Sequence, residues 1–462
     1  MTSLFFSLFS KLSLFVASAG IGMAAYFFFA GTDSKASYDG GSGAIRIPAV
    51  ESRLHLPMEA SLLARTQAPV DVSGDSNGVL YILQHDGKVI RIDNEGTTMK
   101  VSTQYADLSD KQTDREIGFS AIAFHPEFLM RERPGFGKFY VIAAEKARSA
   151  MPDFIPQFGF GPETHQEVLY EYRTDFPYAS NFKGQRREVM RFSQPGREHN
   201  VTSITFDLYG HLFLAVGDGA DMKVDNRSAS KNASSLANAY GKILRINPMG
   251  RNSVNGKYGI PKTNPFQLVS NALPELWTFG LRAPHSLSFD PFLQNLCIGE
   301  SGENGIEKVN ISEYGGEHFG WDLLHGSGLF NLVSSSQLAE VVTSPSFAID
   351  RKSQAMGTHK GNVIYRGENF PSLAGRLIVA NESGDLVVSE PELKGQLQLL
   401  DLGSVSDRGI SGLRTTPTGE LLVLCADGSI FELKKTESTT EGSWKRKPLY
   451  CLQLIDPVNA RS

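Results

Sequence analysis

The chain has 462 residues, of which 41% are hydrophobic and 21% are charged, and its net charge is −5. This length and composition are typical of a folded protein with one large domain or two to three smaller ones. The negative charge and the absence of a Lys/Arg stripe argue against nucleic acid as a partner. Three cysteines are too few for a disulfide framework, and none has the CxxC spacing of a zinc site.

The amino terminus differs in composition from the rest of the chain. Residues 12–32 contain no charged residue and are flanked by Lys11 and Asp33. About 20 apolar residues can cross a bilayer, and no clear A-x-A cleavage site follows them. We expect residues 1–32 to be a signal anchor with Lys11 in the cytoplasm and the rest outside it, in a periplasmic, lumenal or extracellular space. The alternatives are a cleaved signal peptide, which gives a secreted protein, and a buried helix of a soluble cytoplasmic protein.

A repeated strand pattern follows. Each copy contains an apolar strand, a turn with Gly or Pro, a second strand, a Gly turn and a third strand. Such a unit cannot bury both its faces alone, but several units stacked radially can. Six copies occur, at residues 75–93, 121–173, 204–247, 286–311, 362–390 and 413–434.

The repeats predict an all-β fold, a six-bladed β-propeller over residues 61–462 that follows a flexible tether at residues 33–60. A pair of two-sheet sandwiches is the alternative, but it does not explain the constant order within each unit. We expect the ring to be closed by a strand within residues 68–72 or by residues 450–455.

The third repeat carries the strongest candidate for a functional site. Residues 203–208 and 212–216 alternate in polarity around a Tyr209-Gly210 turn, which predicts a β-hairpin. His199 precedes the first strand and Asp218 follows the second. Because these positions lie at the same edge of an antiparallel hairpin, we expect the imidazole and the carboxylate to share one rim. The alternatives are an ordinary loop histidine and an Asp-Gly turn.

Several segments of the chain together resemble the glucose/sorbosone dehydrogenase family. That family includes six-bladed soluble quinoprotein sugar dehydrogenases and, as non-enzymatic relatives, hedgehog-interacting-protein-like propellers. The resemblance covers residues 73–433 in the right order. It is carried by GFSAIAFHPEF (118–128), HNVTSITFDLYGHLFLAVGDG (199–219), GKILRINPMG (241–250), NPF with PELWTFGLRAPHSLSFDP (264–291), IGESGENGIEKVNI with GGEHFGW (298–321), and residues 365–386.

The resemblance implies that the chain oxidises a sugar with pyrroloquinoline quinone. His199 matches the general base that takes the proton of the sugar hydroxyl. Asp218 matches a catalytic and substrate-binding acid that holds hydroxyls or stabilises the imidazolium. Glu198 matches an acidic substrate contact.

The resemblance also implies a cofactor and metal site. Arg282 matches an arginine that faces the quinone oxygens and stabilises the reduced anionic cofactor, which makes it both a catalytic and a cofactor-binding residue. Ala283 stands at the next cofactor position, where relatives have asparagine, so an amide is absent. Gly302 and Glu303 match carbonyl ligands of a calcium ion.

The chain departs from the family at the positions that hold the carboxylates of the cofactor. Glu382 stands near the position of an expected lysine, and Arg408 and Arg414 flank expected arginines without matching them. Each lost cation should cost about 1.5–3 kcal/mol of cofactor binding. Lys360 and Arg366 are candidate substitutes.

Two features are left without a chemical role. Residues 148–196, with the aromatic run FIPQFGFGP, are interpreted as an insertion that could cover the substrate cleft. His285 and His318 are assigned to structure or surface.

Three functional hypotheses result. The first is an exported, membrane-anchored aldose dehydrogenase that uses pyrroloquinoline quinone and Ca²⁺. The second, suggested by the missing cations, is a catalytically inactive propeller that binds a glycan or protein partner. The third is a calcium-dependent lactonase or esterase, which would need several inward-facing carboxylates.

Overall fold

The computed structural model describes residues 50–95, 98–158, 161–220, 226–321, 342–351, 357–389, 397–400 and 402–436. Within these ranges the chain forms 25 strands in six sheets, and one α-helix, α1 (Asn226–Ser234). This confirms the predicted all-β, six-bladed propeller.

Each sheet forms one blade. Blade 1 contains β3 (Pro69–Gly74), β4 (Leu80–Gln84), β5 (Lys88–Glu95) and β6 (Thr98–Asp107); blade 2 contains β7 (Phe119–Phe124), β8 (Lys138–Lys146), β9 (His165–Thr174) and β10 (Gly184–Gln194). Blade 3 contains β11 (Val201–Phe206), β12 (Leu212–Val216), β13 (Lys242–Ile246) and β14 (Leu276–Phe279). Blade 4 contains β15 (Ala283–Asp290), β16 (Asn295–Ser301), β17 (Ile306–Ser312) and β18 (Phe347–Asp350).

The last two blades combine strands from both ends of the described chain. Blade 5 contains β19 (His359–Ile364), β20 (Leu377–Asn381), β21 (Leu386–Ser389) and β22 (Leu397–Leu400), with β1 (Val50–Leu54) added in parallel at its outer edge. Blade 6 contains β23 (Ile410–Thr415), β24 (Leu421–Cys425) and β25 (Ser429–Lys435), with β2 (Met58–Arg65) as its outer strand.

The strand β2 closes the ring, because it pairs antiparallel with β25 along its length. The expectation that a strand within residues 68–72 closes the ring is therefore wrong. Residues 69–72 belong to β3, the innermost strand of blade 1, and residues 450–455 lie outside the described residues.

The first strands of the blades surround the central axis. They contact one another in the order β3, β7, β11, β15, β19 and β23, and β23 returns to β3. Four of the second strands, β4, β12, β20 and β24, are buried along their whole length, because they pack between neighbouring blades. Apolar side chains from facing sheets thus form a core between each pair of blades, as a radial stack requires.

The amino-terminal predictions are only partly covered by the structure. The expected signal anchor at residues 1–32 lies outside the described residues. Among the described residues, no helix is long and apolar enough to cross a membrane. The expected tether is shorter than residues 33–60, because β1 and the start of β2 pair with blades 5 and 6.

Candidate active site

The hairpin of blade 3 brings His199 and Asp218 to one rim of the propeller, which we call the upper rim. In this hairpin β11 pairs antiparallel with β12. Strand β11 ends earlier than the alternating pattern predicts, because Asp207 belongs to the turn. Its Oδ1 accepts hydrogen bonds from the backbone N–H groups of Tyr209 (2.8 Å) and His211 (2.9 Å).

The backbone of His199 is held in an unusual conformation. Its φ of 53° lies in the left-handed region, which costs roughly 1–3 kcal/mol for a residue other than glycine. Gly217 packs directly beneath it, since a Cβ at Gly217 would lie 2.1 Å from the carbonyl oxygen of His199. The backbone N–H of Gly217 also donates to the carbonyl of Asn200 at 3.0 Å. The end of β12 therefore fixes the direction of the His199 side chain.

The imidazole of His199 contacts the carboxylate of Asp218, with 2.6 Å between Nδ1 and Oδ1. A carboxylate only accepts hydrogen bonds, so Nδ1 carries the proton that joins the two groups. In the neutral imidazole this leaves Nε2 with a free lone pair. The pair therefore presents a proton acceptor at Nε2.

Asp218 is fully buried and uses both of its oxygen atoms inside the protein. Oδ1 also accepts the backbone N–H of Ala220 at 3.0 Å, and Oδ2 accepts Nε1–H of Trp321 at 2.8 Å. The expected role of Asp218 as a direct substrate ligand does not fit this burial, because no carboxylate oxygen is free to meet a sugar hydroxyl. The geometry instead makes Asp218 a positioning residue for His199.

Arg282 lies beside the same group of residues. Its guanidinium carbon is 5.3 Å from the centre of the Trp321 ring, and its carbonyl oxygen accepts the backbone N–H of Asp218 at 2.9 Å. Nη1 donates to the carbonyl of Ser301 at 3.4 Å. Nε is buried without a hydrogen-bond partner among the described residues. His199, Asp218, Trp321 and Arg282 thus form one continuous array.

Trp321 was missed by the sequence analysis as a site residue, although it ends the GGEHFGW motif that contributed to the resemblance. It is fully buried, and its backbone N–H donates to the carbonyl of Gly280 at 2.9 Å. Trp321 connects the carboxylate of blade 3 to the arginine that precedes blade 4. Its position after β17, far from the hairpin in sequence, gave no separate signal.

The remaining predicted residues also lie on the upper rim. Glu198 is exposed beside His199. Ala283 begins β15 and pairs with Ser301, so the array reaches the loop that contains Gly302 and Glu303.

The segment expected to be an insertion is shorter than residues 148–196, because β9 and β10 are regular strands of blade 2. The loop before β9 reaches α1, where the backbone N–H of Phe158 donates to Oδ1 of Asn232 at 2.9 Å. Nδ2 of Asn232 also lies 3.3 Å from the carbonyl oxygen of Asp218. The loop therefore packs beside the array; whether it covers a substrate stays a prediction.

Comparison with known proteins identifies the family of the chain. The glucose/sorbosone dehydrogenase family model matches residues 66–431, which include the first strand of every blade. The chain belongs to the glucose/sorbosone dehydrogenase family.

Among curated relatives, the chain is 28% identical over 339 residues to the HIPL2 protein of Arabidopsis thaliana, covering 64% of this chain and 46% of that protein. It is 27% identical over 268 residues to the aldose sugar dehydrogenase YliI of Escherichia coli, covering 56% and 65%. It is 23% identical over 388 residues to the human Hedgehog-interacting protein, covering 78% and 48%. The matched part of the chain thus spans about half the length of several of these relatives.

Solved structures share the fold. The PQQ-bound form of the aldose sugar dehydrogenase from Streptomyces coelicolor superimposes with a TM-score of 0.54 at 18% sequence identity. The match covers 84% of this chain and 99% of that one. At this identity the likeness establishes a common propeller.

The residues present match the reacting end of the cofactor implied by this family better than they match its carboxylate groups. Nε2 of His199 and Nε of Arg282, which would meet the reacting end of the quinone, make no hydrogen bond within the described part of the chain. The cofactor carries three carboxylate groups and therefore needs further cationic partners. Two candidate cations on the upper rim already form ion pairs with carboxylates of the chain. Lys360 Nζ lies 3.8 Å from Glu382, and Arg408 lies 2.5 Å from Asp427. Exposed pairs of this kind contribute only about 0–1 kcal/mol, so they can be exchanged for an anionic ligand.

Two other candidate cations do not reach the site. Arg366 follows β19 at the opposite end of the blade and makes two hydrogen bonds to Asp290, at 2.9 and 2.6 Å. Arg414 lies within β23 and donates to Asp71 of the neighbouring blade at 2.7 Å. The suggestion that Arg366 substitutes for a missing cofactor cation is therefore wrong.

The expected calcium loop offers one clear ligand. The carbonyl of Glu303 accepts the backbone N–H of Ile306 within the loop, whereas Gly302 uses its own N–H to donate to Ile306. Beneath Gly302 lies the buried side chain of Lys308, whose Nζ is 3.8 Å from Glu300. The Gly302 carbonyl fits a calcium ligand, but the nearby ammonium opposes a cation there.

Proposed function

We propose that this protein is a sugar dehydrogenase of the pyrroloquinoline quinone type, with His199 as the general base. The observation that supports this most directly is the array in which Asp218 holds His199 and Trp321 holds both Asp218 and Arg282. Family membership and the name of the Escherichia coli relative support the class of reaction. An aldose or a related polyol is the proposed substrate.

The chain's own residues would divide the chemistry between them. His199 would accept the hydroxyl proton of the sugar at Nε2, while Asp218 stabilises the imidazolium that forms. Arg282 would provide a permanent positive charge beside the negative charge that develops in the reaction. Its contact with the Trp321 ring would hold the guanidinium group in one orientation. When bound, pyrroloquinoline quinone supplies the acceptor for the hydride that leaves the same sugar carbon.

Other residues would hold the ligands. The exposed carboxylate of Glu198 would accept hydrogen bonds from sugar hydroxyl groups near the base. Arg282, with Lys360 and Arg408 if their carboxylate partners release them, would bind the anionic cofactor. The Gly302 carbonyl would be a calcium ligand, with Glu303 beside it.

The test is sugar-dependent dye reduction by the full chain supplied with calcium and the quinone. We expect His199→Gln to lower kcat about 10²–10⁴-fold, which is the usual contribution of a general base. Asp218→Asn should lower kcat with little change in KM, and Glu198→Gln should mainly raise KM. The control is His55→Gln, which removes an exposed histidine just after β1, the outermost strand of blade 5, and should leave both constants unchanged.

Two outcomes would contradict the proposal. One is the absence of dye reduction with every aldose and polyol tested, despite a folded protein. The other is equal activity in wild type and His199→Gln, because a base at this position could not then take the proton.

The proposed location is outside the cytoplasm, with the amino-terminal segment as a membrane anchor. The composition of residues 12–32 supports this.

A second candidate function is binding of a glycan or a protein partner without redox chemistry. It is favoured by the ion pairs that occupy Lys360 and Arg408, and by the similarity to the human Hedgehog-interacting protein. Calorimetry with the quinone separates the two candidates: saturable binding weakened by Arg282→Gln supports the dehydrogenase, and no binding supports the second candidate.

A further inference from the structure

A polar cluster interrupts the core between blades 4 and 5 at its upper end. The lower part of this core is apolar and includes Cys297, Val309 and Val379. Two residues further up the same faces, the chain instead has Gly299 on β16 and Glu307 on β17. His285 of β15 and His359 of β19 complete a group of three side chains, which we call the blade 4–5 cluster: His285, Glu307 and His359.

The three side chains converge on a single point. Their potential ligand atoms all lie within 4.8 Å of one another. Nε2 of His285 is 3.8 Å from Oε2 of Glu307, and the two imidazole rings are 4.8 Å apart in an edge-to-face arrangement. The ligands come from two blades, so any group they share would connect those blades.

Burial makes this arrangement costly without a ligand. His359 is 3% exposed, and neither of its ring nitrogens makes a hydrogen bond of ordinary geometry to a described residue. Nε2 of His285 and Oε1 of Glu307 are likewise buried without a hydrogen-bond partner among those residues. Burying such a group normally costs free energy unless a partner replaces the hydrogen bonds that the group made to water.

The backbone is shaped to leave room for the cluster. A Cβ at Gly299 would lie 2.5 Å from Cε1 of His359 and 2.5 Å from Oδ1 of Asn362. Glycine is therefore required at this position if the His359 ring is to point towards Glu307. A substitution as small as Gly299→Ala would push the ring away.

The donor types select the kind of ion. Two imidazole nitrogens and one carboxylate oxygen suit a divalent transition cation such as Zn²⁺, whereas calcium prefers oxygen ligands alone. Tetrahedral zinc holds its ligand atoms roughly 3.3 Å apart, so the cluster would contract by about 1–1.5 Å at its widest point. His285 is partly exposed, which gives the ion an entry route and room for water as a fourth ligand.

The guanidinium group of Arg351 lies beside the carboxylate of Glu307. Nε of Arg351 is 3.4 Å from Oε1 of Glu307, and its Nη1 donates to Thr358 at 3.0 Å. Ser301 also donates to Oε2 of Glu307 at 2.9 Å, which holds the carboxylate in place. The Arg351 side chain is 38% exposed and can swing into solvent, and it leaves both nitrogens of His359 unsatisfied. Arg351 alone therefore does not account for the cluster.

We propose that His285, Glu307 and His359 bind one divalent transition cation of the zinc class, which clamps blade 4 to blade 5. The cluster adjoins the proposed sugar-oxidising array, because Ser301 contacts both Glu307 and Arg282, but metal binding does not require that the protein oxidises a sugar.

The test uses the full chain, stripped of metal and titrated with Zn²⁺ and with Co²⁺ as a spectroscopic probe. We expect one saturable site per chain, a rise in Tm on zinc binding, and the visible absorption of tetrahedral Co²⁺. His359→Gln and Glu307→Gln should each weaken binding at least ~100-fold, since even groups that only orient metal ligands contribute about 10–100-fold. Both variants should lose the zinc-dependent rise in Tm.

Matched variants distinguish this site from weak surface binding. His55→Gln also removes one histidine and should bind zinc like the wild type. Arg351→Gln should bind at least as tightly, because it removes a competing cation. The Glu307→Gln variant keeps the side-chain shape, so it remains informative if His359→Gln does not fold.

Three results would overturn the proposal. These are the absence of saturable uptake, equal affinity of wild type and Glu307→Gln, and displacement of the bound ion by excess Ca²⁺. The last would show that the chain's oxygen ligands, and not the cluster, hold the ion.

Discussion

At the residue scale, the proposed chemistry depends on how the chain keeps a fully buried carboxylate hydrogen-bonded and pointed at one imidazole nitrogen. Asp218 receives hydrogen bonds from Trp321, Ala220 and His199, so each of its oxygens is satisfied. A buried carboxylate without such donors would be costly. These hydrogen bonds also fix the tautomer of His199, and they leave Nε2 as the atom available to a substrate.

A second buried carboxylate near this site gives a testable pH dependence. Glu167 of β9 accepts hydrogen bonds from the backbone N–H of Val201, two residues after His199, and from Nε2 of Gln194 at 2.9 Å. Burial raises the pKa of Glu167 to about 8, although both hydrogen bonds act to lower it. The neutral acid is therefore the form that the folded chain favours.

We expect Glu167→Gln to remove a loss of stability that develops as the pH rises from about 4.5 to about 8. Because the folded pKa lies above the unfolded one, the contribution of Glu167 is complete below about pH 4.5 and is lost as the pH rises through about 8. The free energy of unfolding of Glu167→Gln, relative to wild type, should rise by up to ~1.4 kcal/mol per pH unit within this window. Urea unfolding between pH 5 and about 9 measures it.

The control for this prediction is Glu313→Gln, which removes an exposed carboxylate. Its stability should follow the wild type at every pH. Parallel curves for Glu167→Gln and wild type would show that Glu167 is ionised in the folded protein throughout this range.

At the element scale, the sequence predicts the first three strands of blades 2 to 6 but not the fourth. In blade 1 the repeat at residues 75–93 contains only β4 and β5, and β3 overlaps the segment expected to close the ring. The first three have clear alternation or continuous apolar runs, because both their faces meet neighbouring blades. The outer strands β14, β18 and β22 have only four residues each, which is too short for a period of two to be recognised. In blade 6 the outer strand comes from the other end of the propeller, so no local pattern could indicate it.

We expect the strand β2 to be essential for stability, although the family match begins only after it, at residue 66. Strand β2 contributes a full ladder of hydrogen bonds to β25 and buries Leu63 and Ala64 against blade 1. A chain that begins at residue 66 should lose at least ~3 kcal/mol of unfolding free energy, since one buried leucine alone contributes about 1.5–3 kcal/mol. The midpoint of urea unfolding is the measurement.

A chain that begins at residue 55 serves as the control, because it lacks β1 but keeps β2. It should remain close in stability to a chain that begins at residue 50. If the chains beginning at 55 and 66 unfold at the same urea concentration, β2 does not close the ring in solution.

At the scale of the whole molecule, the sequence predicts contacts within one hairpin but not contacts between blades that the closed ring brings together. The pairing of His199 with Asp218 follows from one hairpin and was expected. The contact between Trp321 and Asp218 joins residues 103 positions apart, and the blade 4–5 cluster joins three strands of two blades. These contacts depend on how neighbouring sheets face each other, which strand periodicity does not specify. For the same reason His285 was assigned to structure or surface.

The composition of residues 12–32 predicts that the whole propeller is attached to a membrane. If residues 12–32 form an uncleaved anchor, about 17 residues connect it to β1 at Val50, and a flexible segment of that length spans roughly 20–25 Å. We expect the full-length protein to remain in the membrane fraction after alkaline carbonate washing, with its propeller cleaved by protease added on the non-cytoplasmic side.

A chain that begins at residue 50 keeps β1 and β2 and should appear in the soluble fraction with the same Tm as the full-length propeller. A soluble full-length product whose mass shows loss of the first ~30 residues would identify a cleaved signal peptide instead. A soluble product of unchanged mass, protected from external protease, would favour the buried helix. Because the proposed sugar oxidation requires a substrate on the same side as the propeller, this experiment also decides which pool of sugars the His199 site can meet.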